Sequence, residues 1–96
     1  MKFERKRYIG FINFGNLSNE QNFFLLRQKF SQLFGILSLE EASLAMVAKK
    51  QNVFVVRVNL NFEKQLLFAS CYLPLFSIFT TSSVKKAKEK IDYFGK

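Results

Sequence analysis

An α+β sandwich, one four-stranded antiparallel sheet layered with helices, is the fold class that the sequence predicts for this chain of 96 residues. Three observations predict it. Apolar runs of strand length are punctuated by Gly, Asn or Pro. Between them lie stretches with apolar residues at helical spacing. The order is strand, helix, strand, strand, helix, strand, with one more helical pattern at the end. The length suits a single domain, residues 1–96, with a two-layer core and no room for a second.

Arg5 to Phe14 predicts the first strand, basic at its start, apolar on both faces through Tyr8, Ile9, Phe11, Ile12 and Phe14, and stopped by Gly15-Asn16. Apolar residues on both faces predict a central strand covered from both sides. Ser18-Asn19-Glu20-Gln21 is a capping box that opens a helix. Phe23, Leu26, Phe30, Leu33 and Phe34 form its buried stripe, Arg27, Gln28, Lys29 and Gln32 face water, and Gly35 ends it as a left-handed residue.

After Leu37-Ser38-Leu39 and Glu40-Glu41, Ala42 to Ala48 and Val53 to Leu60 predict two strands joined by a hairpin at Lys49-Lys50-Gln51-Asn52. Phe54, Val56, Val58 and Leu60 share the core face. Val53, Val55, Arg57 and Asn59 share the other, which is half apolar and needs a cover, either the C-terminal helix or a partner subunit. Asn61 is placed to cap a second helix with Phe62, Leu66, Ala69 and Leu73 on one side, and Pro74 to terminate it. Leu75 to Thr81 is a fourth strand, and Val84, Ala87, Ile91 and Phe94 give the last helix an apolar stripe opposite its lysines. The whole order, β-α-β-β-α-β plus a C-terminal helix, is that of the split βαβ or ferredoxin-like sandwich. That fold hosts RNA binders, regulators and enzymes, so it names no function.

Hydrophobic residues make up 49% and charged residues 23%, the composition of a globular domain. The 13 phenylalanines exceed what so small an interior holds, so some rings are expected on a surface that a partner covers. The helix carrying Phe68 and Tyr72 and the sheet face around Val53 and Val55 are the two candidates. Net charge is +8, and nine of the 15 cations lie at the two ends: Lys2, Arg5, Lys6 and Arg7, then Lys85, Lys86, Lys88, Lys90 and Lys96. A fold that joins the ends makes one basic patch, suited to RNA or DNA ahead of acidic lipid.

The charge of Thr80-Thr81-Ser82-Ser83-Val84-Lys85-Lys86-Ala87-Lys88-Glu89-Lys90 runs against the helix dipole, with Lys85 and Lys86 near the start and Glu89 and Asp92 toward the end. A phosphate at the helix start would reverse the penalty, met by free amides, the Ser82 and Ser83 hydroxyls and two ammonium groups. A serine cap followed by a solvated lysine face is the other reading of the same residues.

Catalysis is poorly provided for. Histidine is absent, Asp92 is the one aspartate, and Cys71, in an apolar helix, reads as a buried structural thiol. No catalytic residue, P-loop, dinucleotide fingerprint or metal-binding run is evident, and Glu40-Glu41 reads as a solvated pair. A lone cysteine forms no internal disulfide, and the charged start is no signal peptide, so a reducing compartment is expected, the cytoplasm. Gln65 to Val84 is 20 residues without a charge, about the membrane-spanning length, but Pro74 and the Thr/Ser tail divide it, so no membrane partner is expected. Asn52-Val53-Phe54-Val55-Val56-Arg57 lacks the basic-Gly-aromatic run by which this fold stacks single-stranded bases, so RNA contact should rest on backbone and shape.

Arg5-Lys6-Arg7-Tyr8-Ile9, Phe34-Gly35, Val55-Val56-Arg57-Val58-Asn59 and above all Thr81-Ser82-Ser83-Val84-Lys85-Lys86-Ala87 resemble, in order and spacing, archaeal and eukaryotic ribonuclease P protein component 2, the small subunit shared with eukaryotic RNase MRP. The last segment is similar to that family's Ser-Gly-Thr-Ile-Lys-Lys-Ala, with Ser82 in the place of the Gly, and the connection around Pro74 is shorter than the family's. The resemblance implies an accessory, non-catalytic subunit of a tRNA-processing ribonucleoprotein whose RNA removes the 5′ leader from precursor tRNA. It implies as partners the catalytic RNA and a larger barrel-shaped protein subunit, in a possible dimer of heterodimers. It implies Mg²⁺ held through the RNA, with no cofactor on the chain itself, and a nuclear or nucleolar place in a eukaryote. RNA contact is carried onto Arg5, Lys6, Arg7, Ser83, Lys85 and Lys86. Two other classes remain open: a small-molecule-binding or homodimerising regulatory module of the same fold, and a membrane-attached peptide using the uncharged stretch.

Overall fold

A computed structural model describes residues 5–94, apart from the side chain of Phe94, so the basic residues Lys2 and Lys96 lie outside the described residues. The elements are β1 (Lys6–Asn13), α1 (Asn19–Phe34), α2 (Ile36–Ala42), β2 (Ala45–Lys50), β3 (Val53–Asn59), α3 (Glu63–Ser70), β4 (Leu75–Thr81) and α4 (Val84–Phe94). The four strands form one sheet in the order β2-β3-β1-β4, every neighbouring pair antiparallel. This is the ferredoxin-like α+β sandwich, with β1 central as its two apolar faces require.

Strand alternation divides the apolar residues between two cores. Ile9, Phe11, Phe54, Val56 and Val58 meet Leu26 and Phe30 of α1 and Leu66 and Ala69 of α3 on one face. On the other, Val53 and Val55 pack with Ala87 and Ile91 of α4. Phe11, Phe30 and Phe54 are fully buried, each contributing about 1.5 to 3 kcal/mol over exposure. The cover needed by the second face is therefore α4, and Val53 and Val55 are unavailable to a partner or to a dimer built on bare sheet faces. The bulges on both edge strands help. One falls opposite Gly10/Phe11 and the other between Met46 and Ala48, and they leave Ile78 and Val47 against the α4 cluster beside Phe79 and Ala48.

The capping box forms as the sequence requires: the Gln21 amide donates to Ser18 Oγ at 3.2 Å and the Ser18 amide to Gln21 Oε1 at 3.0 Å. Asn19 and Asn22 join Leu26 and Phe30 on the buried side of α1, while Leu33 faces outward. Around the helix start, Asn19 Nδ2 donates to the Gln51 carbonyl at 2.9 Å and Asn13 Nδ2 to the Leu17 carbonyl at 2.6 Å, fastening α1 to the β2-β3 hairpin and to the end of β1.

Several boundaries differ from the expectation. Gly35 has the positive φ expected, 92°, but an extended ψ of 159°, so the chain enters a new helix, α2, at once. Ala42, expected to open a strand, is the buried last residue of α2, and Ser43 in left-handed geometry turns the chain into β2. The hairpin turn shortens to Gln51-Asn52 because Lys49 and Lys50 pair with Phe54 and Val53. Asn61 does not cap α3. It lies in a 3-10 turn, Leu60–Phe62, that runs directly into the helix with no side-chain cap bond. Nor does Pro74 end α3, which stops at Ser70 and leaves residues 71–74 in turns, so Leu73 falls outside the helical stripe.

Candidate nucleic-acid interface

At the start of α4, β4 ends at Thr81 and the Ser83 amide donates to Thr81 Oγ1 at 3.4 Å. Ser83 then caps the helix. Its hydroxyl oxygen accepts from the Lys86 amide at 3.4 Å and its carbonyl from the Ala87 amide at 3.0 Å. Of the amides that a helix start leaves without internal partners, those of Val84 and Lys85 remain for an outside acceptor. The Ser83 hydroxyl is taken up as a cap acceptor, though its own proton is still free to donate. Lys85 and Lys86 are exposed in the first turn, where the dipole disfavours cations.

Sheet register decides which other cations join them. Tyr8 of β1 lies opposite Thr81 of β4, so the basic opening of the chain runs alongside the turn into α4. Alternation then splits that opening. Tyr8 packs toward α4, which places Lys6, two residues earlier, on the same face, where its Nζ bonds Asn59 Oδ1. Arg7 lies opposite Val58 and shares the face of Ile9, the side covered by α1 and α3. Arg5 precedes the strand, exposed, its carbonyl accepting from the Leu60 amide at 2.8 Å. Of the six expected RNA contacts, Lys6, Ser83, Lys85 and Lys86 thus gather at one end of the α4 face, with Arg5 at the margin and Arg7 behind the sheet.

One cation was not singled out from the sequence. Arg57 shares the α4 face with Val53 and Val55 and lies opposite Tyr8, so Arg57, Tyr8 and Thr81 make one row across β3, β1 and β4. Its Nε is buried without a hydrogen-bond partner. The signal was an arginine among valines on a face otherwise destined for burial, which reads at first as ordinary amphipathic mixture.

Three of the remaining lysines are differently occupied. Lys49 pairs with Glu20 and Lys50 with Asp92 at 3.5 Å, while Lys90 Nζ stands 5.8 Å from the Phe79 ring centre. The Lys49 hydrogen bond holds the Glu20 carboxyl below its ordinary pKa. Cys71 is exposed, contrary to its reading as a buried thiol, because it follows the end of α3, and Ser70 takes the buried place. Among the described residues, no group of three or more His, Cys, Asp or Glu is placed to hold a metal. No helix among them is long and apolar enough to cross a membrane, the uncharged stretch being shared among α3, turns and β4.

Away from the basic end, a chain of rings runs from the core to the surface. Phe30 contacts Phe34 at 5.1 Å between centres, Phe34 contacts Phe68 at 6.2 Å, and Phe68 contacts Tyr72 at 5.7 Å, under Lys29. Phe68 and Tyr72 are 52% and 56% exposed, and Ile36 and Leu37 of α2 are 66% and 72% exposed. Beside Phe68, a groove of about 620 Å³ opens between Phe34, Leu60 and Lys64. Of the two surfaces expected to meet a partner, this is the one left uncovered. Compared with known proteins, the chain matches no family model and no curated sequence.

Proposed function

We propose that the chain is a non-catalytic subunit of ribonuclease P, bracing the catalytic RNA during removal of the 5′ leader from precursor tRNA. The observation that carries the reading is the pairing of Tyr8 with Thr81, which sets the basic start of β1 beside the lysine-bearing start of α4. Two separate runs of like charge meeting at one end of a small domain, with neither Lys85 nor Lys86 held in an ion pair among the described residues, favour a polyanion. Because α4 lies across the sheet face, phosphates and shape supply the contact and bases do not stack on an open sheet.

In this role the protein performs no chemical step. The RNA holds Mg²⁺ and the reacting phosphate, while Lys6, Lys85 and Lys86 lower the repulsion between RNA segments drawn close together, with Arg5 at the margin. The exposed rings around Phe68 and Tyr72 suit the larger protein subunit of the particle.

Capture of the tagged chain from its native cell, followed by RNA sequencing, tests the reading, with the ribonuclease P RNA the expected principal species. In vitro, affinity should fall steeply with salt, with a slope set by about four to six neutralised phosphates. A flat salt dependence overturns it. Neutralising Lys49 and Lys50, already paired with Glu20 and Asp92, should cost less than neutralising the ends. Equal losses would mean diffuse attraction only.

A further inference from the structure

We propose that the Arg57 guanidinium is a further phosphate anchor, seated on the α4 face of the sheet and outside the two basic ends. The inference rests on the nucleic-acid reading and extends it to a named side chain in the middle of β3.

Three observations meet at this residue. Val53 and Val55, on the same strand and face, are fully buried, so Arg57 continues an apolar row at the end where α4 leaves the sheet. Its Nε is out of water and without a partner, and no carboxylate pairs with it among the described residues. Its row neighbours are Tyr8 and, one strand further, Thr81, whose hydroxyl holds the Ser83 amide at the α4 start. Two strand spacings of about 4.8 Å each separate the backbones of Arg57 and Thr81, with Tyr8 between them, so a phosphate shared by the guanidinium and the α4 start would lie over Tyr8.

The chemistry favours an anion there. Arg57 is half-buried, and its covered Nε–H has a hydrogen bond still to make, which an anion at that edge of the guanidinium would supply. Its planar fork matches two phosphate oxygens, a geometry that an ammonium cannot reproduce. The competing reading is a cation that merely snorkels, its stem covering the sheet and its head in water. A lysine snorkels equally well, and the two readings part on that substitution.

The experiment uses the full chain, a fluorescein-labelled RNA stem-loop, and the variants Arg57→Lys, Arg57→Met and, as control for one lost charge, Lys64→Met. Thermal unfolding checks that each variant folds. Arg57→Met should lose about tenfold or more in affinity, beyond the Lys64→Met control, and flatten the salt slope by about one. Arg57→Lys should keep the slope but recover only part of the affinity. RNA binding by Arg57→Met equal to that of the control, or full recovery in Arg57→Lys, overturns the inference and leaves the ribonuclease P reading standing. Titration of the wild-type chain with inorganic phosphate, followed by the Arg57 Nε–H resonance, separates the reverse case. A saturating shift, absent in Lys64 Nζ, upholds the anchor even where the stem-loop fails to bind, and an unmoved resonance counts against it.

Discussion

The ring of Phe79 fills the space that a Cβ at Gly10 would occupy. Gly10 lies on the central strand opposite Phe79, where the register of β4 slips, so the missing side chain lets the edge strand fold its ring over β1 and beneath Lys90. Gly10→Ala should destabilise the fold by about 1 to 3 kcal/mol through overpacking. Phe79→Leu in the same background should return part of that loss. Chemical denaturation of the two single variants and the double variant checks it, and strict additivity would mean the two sites do not communicate.

The two faces once equally suited to a partner now answer differently to the same charge. Val55→Glu places an unpaired carboxylate beneath α4 and should cost more than about 4 kcal/mol, enough to unfold a small domain. Phe68→Glu, half exposed between Phe34 and Tyr72 in the ring chain, should cost only about 1 to 2 kcal/mol and preserve cooperative unfolding. Circular dichroism separates them. Under the ribonuclease P proposal, folded Phe68→Glu should lose binding to the larger protein subunit; unchanged binding places the interface elsewhere, and no binding by the unsubstituted chain overturns the partnership.

What was legible in the sequence was local. Ser18 and Gln21 cap one another within four residues, and Phe54, Val56 and Val58 alternate on a single strand, so neither needed knowledge of the rest of the fold. Leu75 to Thr81 likewise stands between a proline turn and a serine cap, and its bounds agree with β4. The misplaced features depend on partners. Ala42 ends a short helix that begins where Gly35 redirects the chain and stops at left-handed Ser43, and Leu37-Ser38-Leu39 is too brief a pattern to distinguish strand from helix. The bulges at Val47 and Ile78 exist only against β3 and β1. For the site, the two basic ends were visible as composition, and alternation alone sends Lys6 and Arg7 to opposite faces, but which of the two stands on the α4 face is decided only by the pairing of β1 with β4 and the packing of α4. Arg57 became distinct only when its neighbours proved to be buried.

The pairing of Glu20 with Lys49 joins the first turn of α1 to β2 and predicts a small acid effect. The lysine hydrogen bond lowers the Glu20 pKa in the folded chain, so its contribution is present above the ordinary glutamate value, about 4.3, and is lost as pH falls through the lower folded value. Glu20→Gln should therefore lower the unfolding midpoint slightly at neutral pH and leave it unchanged near pH 2, by thermal scans at constant ionic strength. A difference that persists at acid pH would point to helix packing and not to the charge.

The start of α4 provides the sharpest test, because a capped lysine face and a phosphate site respond oppositely to one substitution. With Ser83 as the cap, Lys85 stands in the first turn, exposed, where the dipole favours an anion. Lys85→Glu should therefore stabilise the free protein by about 0.3 to 1 kcal/mol under either reading. Ser83→Ala should remove about 1 kcal/mol through the lost cap. Binding separates the readings. Where the Val84 and Lys85 amides, Lys85 and Lys86 receive a backbone phosphate, Lys85→Glu should lose more RNA affinity than Lys64→Glu, an equal charge change on the exposed side of α3, at the same ionic strength. A stabilised variant whose RNA binding matches the Lys64→Glu control would return the lysines of α4 to the role of a solvated surface and leave Arg57 and Lys6 to carry any phosphate contact at this end of the sheet.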